Sequence, residues 1–374
     1  MRKVGKWIVA VVVVVGLSWV PLTGHSTVRA PERVPSKGLI LDVARQYYSV
    51  ASIKQFIDQI HAGGGSFLQL HLTDDSRYGV ESRLLGQTTQ RAIKRGQTYY
   101  NRRTKLAFLS KRQLRTLVVY GHQRGVEVIP EIDTPGHSRA LIKLLRQSSR
   151  SNRQLVRRIA VDGELDMAHP QTLNLVKRLL HEYTGLLYRN QHVGLGGDEY
   201  RAAQATTSPT MLRYTNGLNR DLNRRHLRAT LWNDGILRAD LPRLDNNVLV
   251  LYWSYDGQPD DPQDVPRRRA RRASLLDLNA AGFQTINANY SYLYLITNPK
   301  MFLPANVDFW QKDLDAHWTN AIWDNWDHST PALSRLNIGS ALSIWGDGHR
   351  TYSQAEILRQ TRPFLTTYFQ HGNE

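Results

Sequence analysis

The 374-residue chain contains no cysteine. That excludes a disulfide framework, a thiolate metal site and a cysteine nucleophile, so stability has to come from packing alone. Acids are scarce relative to bases: 32 Asp and Glu stand against 49 Lys and Arg, a formal net charge of +17. Such an excess favours contact with polyanions, whether nucleic acid, anionic lipid headgroups or phosphate polymers of a cell wall. Internal repeats and low-complexity tracts are absent. With 41% hydrophobic residues the chain can bury a large core, which argues against disorder and suits one α/β barrel or two smaller domains. What it has in quantity is nine Trp and seventeen Tyr, flat faces on which a sugar ring or a base stacks.

Long apolar runs are missing except at the start. Arg2, Lys3 and Lys6 precede an apolar stretch from Trp7 to Val20, too short for a comfortable membrane span and about right for a signal-peptide core. Val28-Arg29-Ala30 offers a cleavage site, but Pro31 directly after it disfavours cleavage. Residues 1–30 therefore read as a signal peptide or an uncleaved N-terminal membrane anchor. Either reading makes the protein secreted or extracellular, which weakens nucleic acid as the partner of the positive charge and leaves anionic cell-wall polymer as a partner for the basic surface. Residues 31–37, with Pro31, Pro35 and Ser36, form a short linker, and 38–374 reads as one folded domain, expected to be a monomer.

From Gly38 onward, apolar strand-like runs alternate with amphipathic helical ones, the pattern of a parallel sheet with crossover helices. Eight strands are expected: 38–45, 66–75, 126–135, 192–200, 228–235, 247–256, 284–295 and 337–347. Between them lie helices such as 49–62, whose Ile53, Phe56, Ile57 and Ile60 share one face, and 111–124. Eight such units predict a single (β/α)8 TIM barrel of class α/β.

Nearly every strand ends in polar or aromatic residues: Asp42 and Arg45; His71, Asp74 and Asp75; Glu131, Asp133 and His137; Asp198 and Glu199; Trp232 and Asp234; Trp253 and Asp256; Tyr292 and Tyr294; Trp345 and Asp347. In a barrel these converge on the C-terminal mouth, where such folds carry their sites. The stretch Gly196-Gly197-Asp198-Glu199 has two readings. Glycine freedom would let both acids address one ligand, or the acids would start a helix as caps. A mouth of Trp, Tyr, carboxylates, Arg and His suits a carbohydrate, whose C–H faces meet aromatics and whose hydroxyls meet charged groups. Adjacent acids cannot flank a glycosidic bond from opposite sides. They fit a substrate-assisted reaction, in which the sugar's own 2-acetamido oxygen is the nucleophile.

Segments in chain order now resemble one family. They are Gly38 to Arg45, Leu70-His71-Leu72-Thr73-Asp74-Asp75, Pro130-Glu131-Ile132-Asp133-Thr134-Pro135-Gly136-His137, Gly196 to Glu199, Leu231-Trp232-Asn233-Asp234-Gly235, Tyr252-Trp253-Ser254-Tyr255-Asp256-Gly257, Tyr292-Leu293-Tyr294 and Leu342-Ser343-Ile344-Trp345-Gly346-Asp347. The chain resembles the family 20 glycoside hydrolases, the β-N-acetylhexosaminidases, and within them the dispersin-type biofilm-dispersing enzymes. The resemblance implies Glu199 as general acid and base, with a raised pKa, and Asp198 as the group that holds the acetamido N–H. It also implies Tyr292 as hydrogen-bond donor to the acetamido oxygen, and Asp133 and His137 as support behind the acid. Trp232, Trp253 and Trp345 would wall the sugar, and Arg45, with Asp74, would grip its hydroxyls. Asp347 stands where the family usually has a Glu one methylene longer. No cofactor and no catalytic metal are implied; His71 and His137 match no helical ligand spacing.

The expected activity is retaining hydrolysis of a β-linked N-acetylglucosamine polysaccharide, the β-1,6-linked polymer of biofilm matrix. The alternatives are β-1,4-linked chitin or peptidoglycan fragments, a catalytically weak surface glycan binder, or a charge-driven polymer binder. The run Arg267 to Arg272 reads as a solvated helix start. Trp318, Trp323 and Trp326 are either core or subsite. Residues 86–105 read as a long loop over the mouth.

Overall fold

The computed structural model describes residues 36–200, 209–257, 262–324, 330–347 and 352–371. The N-terminal segment 1–30, most of the linker and Trp326 lie outside them. Eight parallel strands run Ser36–Asp42 (β1), Phe67–His71 (β2), Glu127–Glu131 (β3), His192–Gly194 (β4), Arg228–Trp232 (β5), Leu249–Tyr252 (β6), Thr285–Asn287 (β7) and Asn337–Trp345 (β8). Each pairs with the next, and β8 returns to β1 with Leu39 opposite Leu342 and Leu41 opposite Ile344. The expected TIM barrel is the observed one.

These strands read as nearly continuous apolar runs because both of their faces are buried. Alternation then sorts the side chains into two layers. Leu39, Leu41, Leu68, Leu70 and Val128 point outward into the layer shared with the helices. Ile40, Phe67, Ile129, Leu249, Leu251, Ile286 and Ala341 fill the barrel interior together with Trp232, Trp253 and Trp345. The helix Val50–Ala62 starts where the Ser49 side chain accepts from the backbone N–H of Ser52, and it buries Ile53, Phe56, Ile57 and Ile60. Each is worth roughly 1.5–3 kcal/mol once out of water. Lys111–His122 opens on a reciprocal capping box between Ser110 and Gln113. Between β5 and β6 the described residues form only the short turn Arg238–Asp240.

Three local expectations need correction. Residues 86–105 are no bare loop: Ile93–Arg95, Thr98–Tyr100 and Ala107–Phe108 form a small antiparallel sheet. The expected seventh strand is broken after Asn287 by one helical turn, Tyr290–Leu293, and Tyr294–Ile296 then pairs beside β8. The basic run is only partly solvated. Arg269 makes paired bonds to Asp256 (2.8 and 2.9 Å) and Asp324 (both 2.8 Å), and Arg272 is buried near Asp234. Trp318 and Trp323 belong to the core.

Candidate active site

β4 stops at Gly194, and the chain leaves the barrel through Gly196 and Gly197, both at positive φ (+79° and +91°). A side chain on Gly196 would collide with the Asp133 carboxylate, so the crossing is possible only with glycine. Glu199 itself sits at φ +48° and His137 at +43°, left-handed conformations that cost on the order of 1–3 kcal/mol and cluster at functional sites. No helix starts at Asp198 or Glu199, so the helix-cap reading of these acids does not hold.

One pocket gathers Arg45, Asp198, Glu199, Trp232, Trp253, Tyr294, Ile296, Trp345 and Asp347. Trp253 and Tyr294 lie nearly parallel at 6.1 Å, and Tyr294 and Trp232 both approach Trp345, at 5.6 and 6.1 Å. Tyr292 is not in this pocket. Its side chain packs against the outer core layer and its backbone oxygen accepts from the Trp310 indole. The physical reason is the helical turn. In a strand, residues 290, 292 and 294 would share a face, whereas in a turn of helix 290 and 294 share it and 292 points away. Tyr290 and Tyr294 accordingly meet edge to face at 6.4 Å. The position expected for Tyr292 is held by Tyr294.

At one end of the pocket, Arg45 reaches three carboxylates: Asp42 at 3.1 Å, Asp74 at 2.8 Å and Asp347 at 2.7 Å. Asp42 is structural, accepting from the backbone N–H groups of Ala44, Arg45 and Gly346. Asp75 is outside the pocket and caps Arg139. At the other end, His137 lies 3.6 Å from Asp198, 3.5 Å from Glu199 and 3.7 Å from Asp74. Asp133 is buried beneath, its Oδ1 accepting from the Gly197 backbone N–H.

Charge in this cluster is unevenly shared. Burial disfavours a charged His137, but the contact with Glu199 and the charges of Asp198, Asp133 and Asp74 outweigh it and raise the imidazole to about 11. Burial raises Asp198 to about 6 in spite of His137. Asp133 is pushed well up by burial and by the charge on Asp198. Glu199, expected to be raised, is instead lowered, because the His137 contact outweighs its partial burial. Asp74 is held well below the carboxylate range: His71, Arg45 and His137 together overcome its burial. Asp133, His137 and Asp198 place potential ligand atoms within 4.8 Å of one another. With the imidazole protonated, His137 donates to these carboxylates.

Sequence reasoning passed over the buried residues that hold the walls. Glu131, fully buried, accepts from the Trp232 indole (2.8 Å) and from Gln69 (3.0 Å), and contacts His71 at 3.1 Å. Asp234 accepts from the Trp253 indole at 2.6 Å. The signal was present, since each is a carboxylate at a strand end. What sequence cannot give is which indole it faces.

The catalytic-domain model of glycosyl hydrolase family 20 matches residues 35–359. The crystal structure of Dispersin B superposes with a TM-score of 0.83 at 31% identity, over 91% of this chain and 100% of that one. A β-hexosaminidase of Vibrio furnissii is 30% identical over 199 residues, covering 50% of this chain and 32% of its own length. A β-hexosaminidase 1 of Coccidioides posadasii is 24% identical over 290 residues, covering 70% of this chain and 44% of its own length. The chain thus spans less than half the length of these curated relatives.

Proposed function

The chain belongs to glycosyl hydrolase family 20, and from that premise we propose that it is a retaining β-N-acetylhexosaminidase in which the substrate's 2-acetamido oxygen is the nucleophile. One observation carries the reading. Asp198 Oδ1 is buried without a hydrogen-bond partner, at a pocket walled by Trp232, Trp253, Trp345 and Tyr294. An unpartnered carboxylate oxygen between apolar walls fits an amide N–H whose methyl group needs an apolar enclosure.

The Asp198 carboxylate accepts the acetamido N–H, turns the carbonyl oxygen toward the anomeric carbon and offsets the positive charge that grows on the acetamido group as the new C–O bond forms. Tyr294 donates to the carbonyl oxygen. Glu199 gives its proton to the departing glycosidic oxygen as the C–O bond breaks, then takes one from the water that opens the cyclic intermediate. Before substrate enters, His137 carries the proton and Glu199 is ionised. When a sugar displaces water, the buried ion pair becomes costlier and the proton moves across 3.5 Å to the carboxylate. Arg45 and Asp347 take the hydroxyls at the far end.

For substrate we propose β-1,6-linked poly-N-acetylglucosamine. Supporting it are the dispersin-type motifs of the sequence and the overlay on Dispersin B along its whole length. The basic start followed by an apolar run supports export to where such a polymer lies. The test is product release from β-1,6-linked and β-1,4-linked N-acetylglucosamine oligomers, with Glu199→Gln as control. Cleavage of the β-1,6 series alone, lost in the variant, is the expected result. Cleavage of the β-1,4 series alone refutes the linkage, and cleavage of neither refutes the activity.

A further inference from the structure

The positive charge of this protein is not spread evenly. Residues 83–110 and 138–161 contain no acid at all and fourteen bases: Arg83, Arg91, Lys94, Arg95, Arg102, Arg103 and Lys105 in the first, and Arg139, Lys143, Arg146, Arg150, Arg153, Arg157 and Arg158 in the second. The two segments leave the barrel after β2 and β3 and pack together, with Asn152 donating to the backbone oxygen of Leu84 at 2.9 Å. Among the described residues only Arg139 of the fourteen pairs its charged group with a carboxylate, that of Asp75 at 3.2 Å. The conspicuous run Arg267 to Arg272 differs: Arg267 and Arg269 are paired there with Asp264, Asp256 and Asp324.

Where these two segments meet, a cavity of about 490 Å³ opens between the small antiparallel sheet and the helix Arg139–Gln147. Three arginines line it, Arg91, Arg102 and Arg103, and no acidic residue does. Arg102 is braced by donating to the backbone oxygen of Arg91 at 3.0 Å. A Cβ on Gly86 would stand 3.7 Å from Arg91 Nη1 and 3.8 Å from the Ser148 side chain, in ordinary contact with both. Gln147 also lines the cavity, and its amide oxygen is shielded from solvent without a hydrogen-bond partner. The cavity shares no lining residue with the active-site pocket.

We propose that this cavity and the acid-free surface around it bind a polymer of phosphodiester-linked polyols, one phosphate seated among Arg91, Arg102 and Arg103. Guanidinium forks match phosphate oxygens in pairs, and the orphan Gln147 oxygen accepts from a polyol hydroxyl. Single-stranded nucleic acid is the weaker fit to the same charge, because its bases are held by stacking on exposed aromatic faces. Here Tyr99 and Tyr100 are covered by Lys94 and Arg95 at 5.8 and 5.6 Å, and Tyr99 also packs on Phe108. Binding of this kind would hold the enzyme at an anionic envelope while leaving the sugar pocket free.

The experiment measures binding of the full chain to immobilised poly(glycerol phosphate) and to DNA of equal charge over a salt series. The wild type is compared with Arg91→Gln/Arg102→Gln/Arg103→Gln and with Lys300→Gln/Arg359→Gln/Arg362→Gln, which removes the same charge from other exposed positions. The cavity triple should weaken binding to the polyol phosphate by roughly tenfold or more and flatten its salt dependence. The control triple should change it by less than about threefold. Hydrolysis of a small chromogenic N-acetylglucosaminide should be unchanged in all three, which shows that the variants fold. Equal losses in both triples would reduce the effect to net charge and overturn the site. Tighter binding of DNA through the same arginines would overturn the polyol assignment. Absence of binding to the polyol phosphate at about 0.15 M salt would overturn both.

Discussion

Asp198→Asn should make the protein more stable and nearly inactive, and the stability gain should depend on pH in a defined sense. Burial lifts the Asp198 carboxyl from its ordinary 3.8 to about 6 even with His137 beside it. The folded state therefore holds a proton that the unfolded chain releases. Below pH 4 both states are protonated and the group contributes nothing to stability. Between the two values the ionised form becomes progressively favoured only in the unfolded chain. Above about pH 6 the native carboxylate is charged at full cost, which at about 1.36 kcal/mol per pH unit comes to ~3 kcal/mol. Asparagine keeps the shape and never ionises, so it removes this cost. Denaturant unfolding at a series of pH values should give no advantage to the variant near pH 4 and an advantage approaching ~3 kcal/mol above pH 6, or about 4 °C in Tm. In the wild type, kcat/KM should fall as pH drops through about 6, because the neutral acid no longer offsets the positive charge that grows on the acetamido group. The variant should lose roughly 100- to 1000-fold in kcat at all pH values. An equal gain at pH 4 and pH 8, or a loss of stability at pH 8, would refute the argument that Asp198 is held ionised against its surroundings.

Other outcomes follow from the same geometry. Glu199→Gln should reduce kcat by roughly 10²–10⁴ on glycosides with poor leaving groups and much less on an activated aryl glycoside, whose leaving oxygen needs no proton; similar losses on both would move the acid elsewhere. Tyr294→Phe should cost about 10- to 100-fold in kcat/KM, for one hydrogen bond to the reacting amide. Tyr292→Phe should stay within about threefold, and a reversal of that order would restore Tyr292 to the site. Arg45→Lys keeps the charge but cannot reach Asp42, Asp74 and Asp347 together, so KM should rise by roughly tenfold or more with kcat less affected. Lys37→Met should lower stability by about 1–2 kcal/mol in denaturant unfolding. The buried Lys37 ammonium donates to the backbone oxygens of Tyr368, Phe369 and His371 and so ties the last helix to β1; an unchanged midpoint would show that this tie is idle.

Much of the architecture is determined locally. Strands buried on both faces need apolar runs, and helices covering them need one apolar face. Those two periods are therefore written into the chain, and eight such strands with helices after all but one of them favour a closed barrel. The mouth is legible for the same reason: carboxylates and indoles at the ends of Thr230-Leu231-Trp232 or Leu251-Tyr252-Trp253 have no place in the strand layers, so they gather at one rim. Tertiary structure decided everything that depends on partners far away in sequence. One helical turn after β7, held where Tyr290 donates its backbone N–H to Trp253, exchanged Tyr292 for Tyr294. The proximity of His137 holds Glu199 low, while burial makes Asp198 the raised acid in spite of that imidazole, although the two are neighbours in the chain. Asp256 and Asp324, thirteen and fifty-five residues from Arg269, neutralised much of the most basic run, while Arg91, Arg102 and Arg103 were left lining a cavity that no carboxylate lines. Periodicity reports which side of an element is buried; charge and hydrogen bonding depend on distances of a few ångströms between elements, and only the folded chain sets those.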